Sequence, residues 1–257
     1  MNSFLSKLGL STPIWQAPMA GHQDARLTIA VSQSGGLGAL PCATLSAEQL
    51  QAQLKELQPH IGNHFNLNFF THTPPQPDDI AQQTWLATLK PHYAHAGLAP
   101  TTTAGASRAP FDASTAKIAA PYAPKVVSFH FGLPSAALMQ VVKSWGSVIV
   151  SSATTVEEAI YLEAHGVDAI IAQGLEAGGH RGHFLSHDLS KQMGTFALLP
   201  QIVKAVKLPV IAAGGIADHQ GVTAAIHLGA SAVQIGTSFL LCDESLASPL
   251  HRAALSC

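Results

Sequence analysis

Short apolar runs recur along the chain, each ending in glycine or a polar residue, and most are followed by a stretch with helical spacing. Eight stand out, at residues 13–19, 36–40, 64–70, 125–131, 147–151, 168–173, 209–213 and 232–236. They are continuously apolar rather than alternating, as expected of parallel strands buried on both faces. Between them, Ser46-Ala47-Glu48-Gln49 reads as a capping box ahead of Leu50, Leu54 and Leu57. Pro134 can open a helix carrying Leu138, Val141, Val142 and Trp145, which Gly146 stops. Thr155-Val156-Glu157-Glu158 reads as a second capping box, with its helix ending near Gly166. Residues 198–206 supply another apolar face, and Asp218 can cap a helix that runs to Gly229. Strand–helix alternation implies a parallel sheet with right-handed crossovers. Eight strands predict closure into an α/β (β/α)8 TIM barrel rather than an open doubly wound sheet.

One stretch breaks the rhythm. Residues 71–124 are too long for a single crossover, so they read as an insertion or cap on a single barrel domain spanning 1–257. A Pro-rich turn at 73–77, a helical stretch around 78–95 and a Thr/Ala/Ser-rich segment at 101–114 make up that insertion. About twenty residues follow the eighth strand and must supply any closing helix.

Composition narrows the function classes. Hydrophobic residues form 47 % and charged residues 11 % of the 257, which excludes a disordered chain. A net charge of −2 gives no footing for nucleic acid or an anionic membrane surface. No apolar run is long enough to span a bilayer, and the N-terminus lacks the apolar core of a signal peptide. Three cysteines (Cys42, Cys242 and Cys257) without CxxC spacing fit a reducing cytoplasm.

Active sites of such barrels lie at the C-terminal strand ends, often with a phosphate at the loops after the last two strands. Gly214 and Gly215 follow the seventh run, and Gly236 and Thr237 the eighth. Glycine lets backbone N–H groups approach phosphate oxygens, and Thr237 adds a hydroxyl, although such glycines also serve tight turns. Neither GxGxxG after a strand nor a Walker A motif is present, which argues against a dinucleotide or nucleoside-triphosphate site. Gln173 ends the sixth run and Asn68 the third; a strand-end amide can face the alternating donors and acceptors of an isoalloxazine edge, or cap a loop. Gly178 and Gly179 would let backbone come close to a flat ligand. His130, among apolar neighbours at the end of the fourth run, is either a base with lowered pKa or a hydrogen-bonded core histidine. His180, His183 and His187 have no Cys or acidic triad with them; Glu176 and Asp188 are nearby, but one loop seldom supplies a whole site, so no metal is expected. There is no GxSxG elbow for hydrolase chemistry.

Taken together, Gln16-Ala17-Pro18-Met19-Ala20-Gly21, Gly35-Gly36-Leu37-Gly38, Asn66-Leu67-Asn68-Phe69-Phe70 and Ser128-Phe129-His130-Phe131-Gly132 resemble the nitronate monooxygenase family, formerly called 2-nitropropane dioxygenases. The resemblance continues through the segment from Ala172 to Gly182, Ala212-Ala213-Gly214-Gly215-Ile216 and the segment from Ala232 to Phe239. It implies an FMN-dependent barrel that oxidises alkyl nitronates, such as the toxic propionate 3-nitronate, with O2 to a carbonyl compound and nitrite. His130 would then be the catalytic base for neutral nitroalkanes. Pro18, Met19 and Ala20 would lie beside the flavin ring, and Asn68, Gln173, Gly178, Gly179, Gly214, Gly215, Gln234, Ile235, Gly236 and Thr237 would contact the cofactor. The family pattern often places an aromatic residue over the substrate, for which Phe111 is the nearest candidate. It also implies a further C-terminal segment, lacking here, that carries pocket residues and the closing helix. The expected protein is a cytoplasmic detoxifying enzyme, monomer or homodimer, with no nucleic-acid or membrane partner. A related FMN barrel reductase using NAD(P)H and a flavin-binding protein without turnover are the competing readings.

Overall fold

The computed structural model describes residues 3–76, 78–100 and 108–256. Pro77 of the Pro-rich turn, residues 101–107 of the Thr/Ala/Ser-rich segment, and Cys257 lie outside the described residues. In chain order the elements are α1 (Ser3–Leu8), β1 (Ile14–Gln16), α2 (Ala25–Gln33), β2 (Gly38–Pro41), α3 (Ala47–Ile61), β3 (Phe65–Phe70), α4 (Asp79–His95), α5 (Ala113–Ala119) and β4 (Val126–His130). They continue with α6 (Ala136–Ser144), β5 (Val148–Ala153), α7 (Val156–Ala164), β6 (Ala169–Gln173), α8 (Thr195–Ala205), β7 (Val210–Ala213), α9 (His219–His227), β8 (Ala232–Ile235) and α10 (Pro249–Leu255). Every predicted strand is present.

All eight strands pair in parallel, in the order β1-β8-β7-β6-β5-β4-β3-β2. The remaining seam, between β1 and β2, is joined by a single bridge, Trp15 to Leu37. Side chains complete it. Gln16 Oε1 accepts from Ala39 N–H at 3.1 Å, and the Ala39 carbonyl accepts from the Gln23 amide and from Thr28 Oγ1 at 3.0 Å. The result is a closed barrel of the TIM type.

Two apolar layers result from the alternation of side chains along each strand. Outward residues such as Leu67, Phe129, Ile149, Ile170 and Val233 pack under the helices. Inward residues at the strand starts, including Val126, Val148, Ala169 and Ala232, fill the barrel together with Trp15 and Leu37. Phe4, Leu5 and Leu8 of α1 plug that end, with Phe4 6.0 Å from Trp15 between ring centroids. Each such buried side chain contributes about 2 kcal/mol. Towards the strand ends the inward positions turn polar: Asn66, Asn68, Ser128, His130, Ser152, Gln173 and Gln234. That gradient places the chemistry at the C-terminal mouth.

The helix starts largely follow their caps. Ser46 and Gln49 form the expected reciprocal capping box. At α7 only half of the box forms: Thr155 accepts from Glu158 N–H, but the Glu158 carboxylate is drawn into the protein by stronger partners. The α6 helix begins at Ala136 with Ser135 as its cap, one turn position after Pro134. In the insertion, α4 has no fully buried residue. After β8 the chain makes a 3-10 turn at Thr237–Leu241 and then α10. Arg252 holds this end by donating to the carbonyls of Leu241, Cys242, Ser245 and Ala247. Among the described residues no helix is long and apolar enough to cross a membrane.

Candidate active site

His130 ends β4 and points into the mouth. Its Nδ1 lies 3.0 Å from Ser152 Oγ and its Nε2 lies 3.2 Å from the His180 carbonyl oxygen. A carbonyl only accepts, so Nε2 carries the proton in the neutral ring. Burial, more than any other cause, lowers the His130 pKa from 6.5 to about 4; positive charge from His180, Arg181 and His183 acts in the same direction, while the His180 carbonyl opposes it. The imidazole is therefore neutral at physiological pH.

The residue after it is strained. Phe131 adopts a φ of 71°, a left-handed conformation that a bulky side chain rarely accepts, and Gly132 follows at 96°. Strain of this kind concentrates at functional sites. It presses the Phe131 ring against His130, 4.5 Å between centroids, and against Phe70 and His180. Phe111, the expected aromatic over the substrate, lies elsewhere. Its N–H donates to the Phe70 carbonyl, and its ring packs on the outward Phe69 and Phe129 at 4.7 and 5.4 Å. Phe70 and Phe131 line the mouth in its place.

Beyond β6 the chain folds over His130. Gln173 donates from Nε2 to the His180 carbonyl at 2.9 Å and accepts at Oε1 from Gly182 N–H at 2.7 Å. Both ends of this amide are thus used on the loop, the loop-capping arrangement. Arg181 steadies the same segment through the carbonyls of Gly174 and Ala177. Gly182 packs so closely that a Cβ there would lie 2.7 Å from His130 Cε1. His180 is exposed, and partial desolvation together with the charges of Arg108 and His72 lowers its pKa. Among the described residues no group of three or more His, Cys, Asp or Glu side chains is arranged to hold a metal.

Asn68 donates to the Ser128 carbonyl and hydroxyl, beside Asn66. Gly178 and Gly179 have open space where a Cβ would stand. On the far side of the mouth, Ala17 N–H donates to the Ile235 carbonyl, and Met19 Sδ lies 3.7 Å from where a Gly236 Cβ would stand. The loop carrying Pro18, Met19 and Ala20 and the loop after β8 therefore meet. Gln23 ties the first loop down by accepting from Met19 N–H at 3.1 Å. Gly214 and Gly215 have positive φ angles of 121° and 68°, which only glycine adopts without strain. Among the described residues, the N–H groups of Gly214, Gly215 and Gly236 donate to no protein backbone acceptor. The buried Gln234 Oε1 likewise has no protein partner. Free N–H groups, nearby open glycines and an unpartnered amide oxygen fit a flat cofactor ending in phosphate.

Sequence reasoning brought forward His130, Gln173 and the glycines but missed Ser152, Glu158 and Gln23. Ser152 was visible in principle as the polar end of an otherwise apolar inward row, Val148 and Val150.

A TIM-type barrel with its polar residues gathered at the C-terminal mouth defines a barrel enzyme, and comparison with known proteins gives the family. The family model described as nitronate monooxygenase matches residues 2–256. The nitronate monooxygenase of Paraburkholderia phytofirmans is 43 % identical over 98 % of this chain and 70 % of its own length. That of Pseudomonas aeruginosa is 41 % identical, over 98 % and 72 %. Among solved structures, nitroalkane oxidase from Streptomyces ansochromogenes superposes with a TM-score of 0.87 at 36 % identity, covering 97 % of this chain and 72 % of that one. FabK from Thermotoga maritima gives 0.74 at 27 %, covering 98 % and 67 %. The chain belongs to the nitronate monooxygenase family and is an enzyme that oxidises nitronates.

Proposed function

We propose that the chain is an FMN-dependent enzyme that converts alkyl nitronates of the propionate 3-nitronate type, with O2, to a carbonyl compound and nitrite, and that this serves detoxification in the cytoplasm. One observation carries the reading: a neutral, half-buried imidazole faces a mouth whose opposite rim offers N–H groups without a backbone partner. In this assignment Gly214, Gly215, Gly236 and Thr237 hold the phosphate, with Gln234 and Ile235 at the strand end below it. Pro18, Met19 and Ala20 flank the ring, Asn68, Gly178 and Gly179 border it, and Gln173 fixes the loop along its edge. When bound, FMN supplies the electron acceptor for substrate oxidation and the route to O2.

The protein's own share is proton transfer and positioning. His130 takes the proton α to the nitro group when the substrate is a neutral nitroalkane. A preformed nitronate has already lost it and relies on His130 less. The negative charge that develops on the nitro oxygens is met by the positive groups nearby, Arg181 and Arg108. The described part of the insertion within 71–124, with its exposed α4, serves as a cap on the barrel. The reduced cysteines Cys42 and Cys242 suit the cytoplasm. The active unit is a monomer or homodimer.

The test is direct. The purified chain is examined for a flavin spectrum and then given propionate 3-nitronate in air while nitrite is measured. Flavin with nitrite release supports the proposal. Flavin without nitrite overturns it. The likeness to FabK favours a second reading, an NAD(P)H-dependent reductase, which anaerobic bleaching of the flavin by NADH would reveal.

A further inference from the structure

Glu158 stands in the first turn of α7, buried to 1 % exposure, and uses both carboxylate oxygens inside the protein. Oε2 accepts from Thr154 N–H at 2.7 Å and from the Thr154 hydroxyl at 2.8 Å. Oε1 accepts from Phe184 N–H at 2.7 Å and Leu185 N–H at 3.2 Å. The first pair lies just past β5, two residues beyond Ser152. The second lies in the loop after β6, two residues beyond Gly182. One side chain therefore rivets the strand bearing one partner of His130 to the loop bearing the other.

We propose that Glu158 is a positioning residue for proton transfer: it holds the 180–185 backbone down on His130, so that the imidazole stays half-buried and correctly turned. The proposal rests on His130 acting as the base. Glu158 touches neither His130 nor the mouth, and it acts only through the loop.

The donor set shows why a carboxylate is needed. All four partners are N–H or O–H donors, and a carboxylate offers acceptors alone. An amide of the same shape must turn its NH2 towards one pair, against the Thr154 N–H (its hydroxyl can rotate to accept) or against both loop N–H groups. Facing the loop, it releases Phe184 and Leu185. The Phe184 ring packs on Gly132, where an added Cβ would lie 3.2 Å from it, so the strained Phe131–Gly132 turn loosens as well. Gln173 and Arg181 still hold the near side of the loop at residues 174–182. Glu158 is the tie on the far side. The positive groups facing His130 are His180, Arg181 and His183, all on this loop; Ser152 of β5 and the rings of Phe70 and Phe131 complete its surroundings. With residues 174–182 still held, the His180 carbonyl keeps its bond to the ring; lifting the far side admits water and takes the His183 side chain away, and both changes raise the proton affinity of His130.

The experiment compares Glu158→Gln with the unaltered flavin-loaded enzyme on nitroethane and on its preformed nitronate, across a range of pH. The expected result is an unchanged flavin spectrum, nitronate turnover within about 2-fold, and nitroethane kcat reduced by about 10-fold or more. The acid limb of the nitroethane profile should move upward by about one pH unit. Equal losses on both substrates with an unmoved limb would show Glu158 to be a strut only and overturn the proposal. Should Glu158→Gln not fold, Thr154→Val removes a single partner of Oε2 and should give the same signature at smaller amplitude; its absence there is equally decisive. His130→Ala is the control. If that variant slows both substrates equally, the base reading fails. If it is selective and Glu158→Gln is not, the positioning role fails.

Discussion

Ser152 Oγ lies 3.0 Å from His130 Nδ1, and this contact serves both protonation states of the ring. In the neutral ring the hydroxyl donates to Nδ1 while Nε2–H donates to the His180 carbonyl. Once the ring is protonated, the hydroxyl needs only to rotate to become an acceptor for Nδ1–H. The imidazolium thus finds a partner for each N–H without movement of the backbone.

Ser152→Ala should remove that acceptor. A hydrogen bond to a charged group contributes about 1.5–3 kcal/mol, so nitroalkane kcat should fall by roughly 10- to 100-fold. Ser152→Thr should restore most of it. Nitrite formation from nitroethane, compared with its nitronate, measures the effect, and an unchanged rate in the alanine variant would remove Ser152 from proton transfer.

His130→Ala should leave flavin bound, since the imidazole spans Ser152 and the His180 carbonyl rather than the phosphate side of the mouth. Nitroalkane oxidation should drop by about 10²- to 10⁴-fold, the usual worth of a general base. Turnover of preformed nitronates should drop far less.

The depressed His130 pKa also makes stability depend on pH. The unfolded ring titrates at 6.5 and the folded ring at about 4, so between these values the unfolded chain binds more protons. Stability should therefore decrease as pH falls from 6.5 to about 4 and level off below, by about 3 kcal/mol in total from this group. Denaturant unfolding at pH 7 and pH 4.5 checks this. His130→Gln should lose less stability over that interval than the unaltered protein, and an equal loss in both would contradict the assignment.

Two glycines should respond in opposite ways. Gly182→Ala places a Cβ 2.7 Å from His130 Cε1 and 3.1 Å from Gln173 Oε1, so ring or loop must shift. It should lower stability by about 1–3 kcal/mol and nitroalkane turnover by roughly 10-fold. Gly178→Ala meets no protein atom within 4 Å. Its stability should stay within about 0.5 kcal/mol of the parent, so reduced flavin retention there would mark the cofactor's path. Unaltered flavin affinity would remove Gly178 from the cofactor site.

The strands were legible because each is apolar enough to be recognised without its neighbours. The position of His130 followed from its place at a strand end. Its environment did not, because Ser152 reaches it only through the register that sets β4 beside β5. Glu158 read as a capping residue because Thr155 lies three positions before it, whereas Phe184 and Leu185, which compete for its carboxylate, are 26 and 27 residues away. Phe111 is only the nearest candidate for the family's aromatic over the substrate, and pairing of its N–H with the Phe70 carbonyl goes with a ring packed in the outer layer. Gln173 offered two uses for its amide, and only the folded loop shows that both ends are engaged there.

The β1–β2 seam makes assembly of the barrel and occupancy of its mouth a single equilibrium. Gln23 closes the seam at Ala39 with one end of its amide and holds Met19 with the other. A ligand resting on the Met19 loop therefore favours the same side-chain geometry that staples the first strand to the second. By mass action it tightens the closed form by RT ln(1 + [L]/Kd) over whatever open form cannot bind it. Backbone amide exchange at Ala39, far from any reacting atom, then becomes a gauge of how full the mouth is.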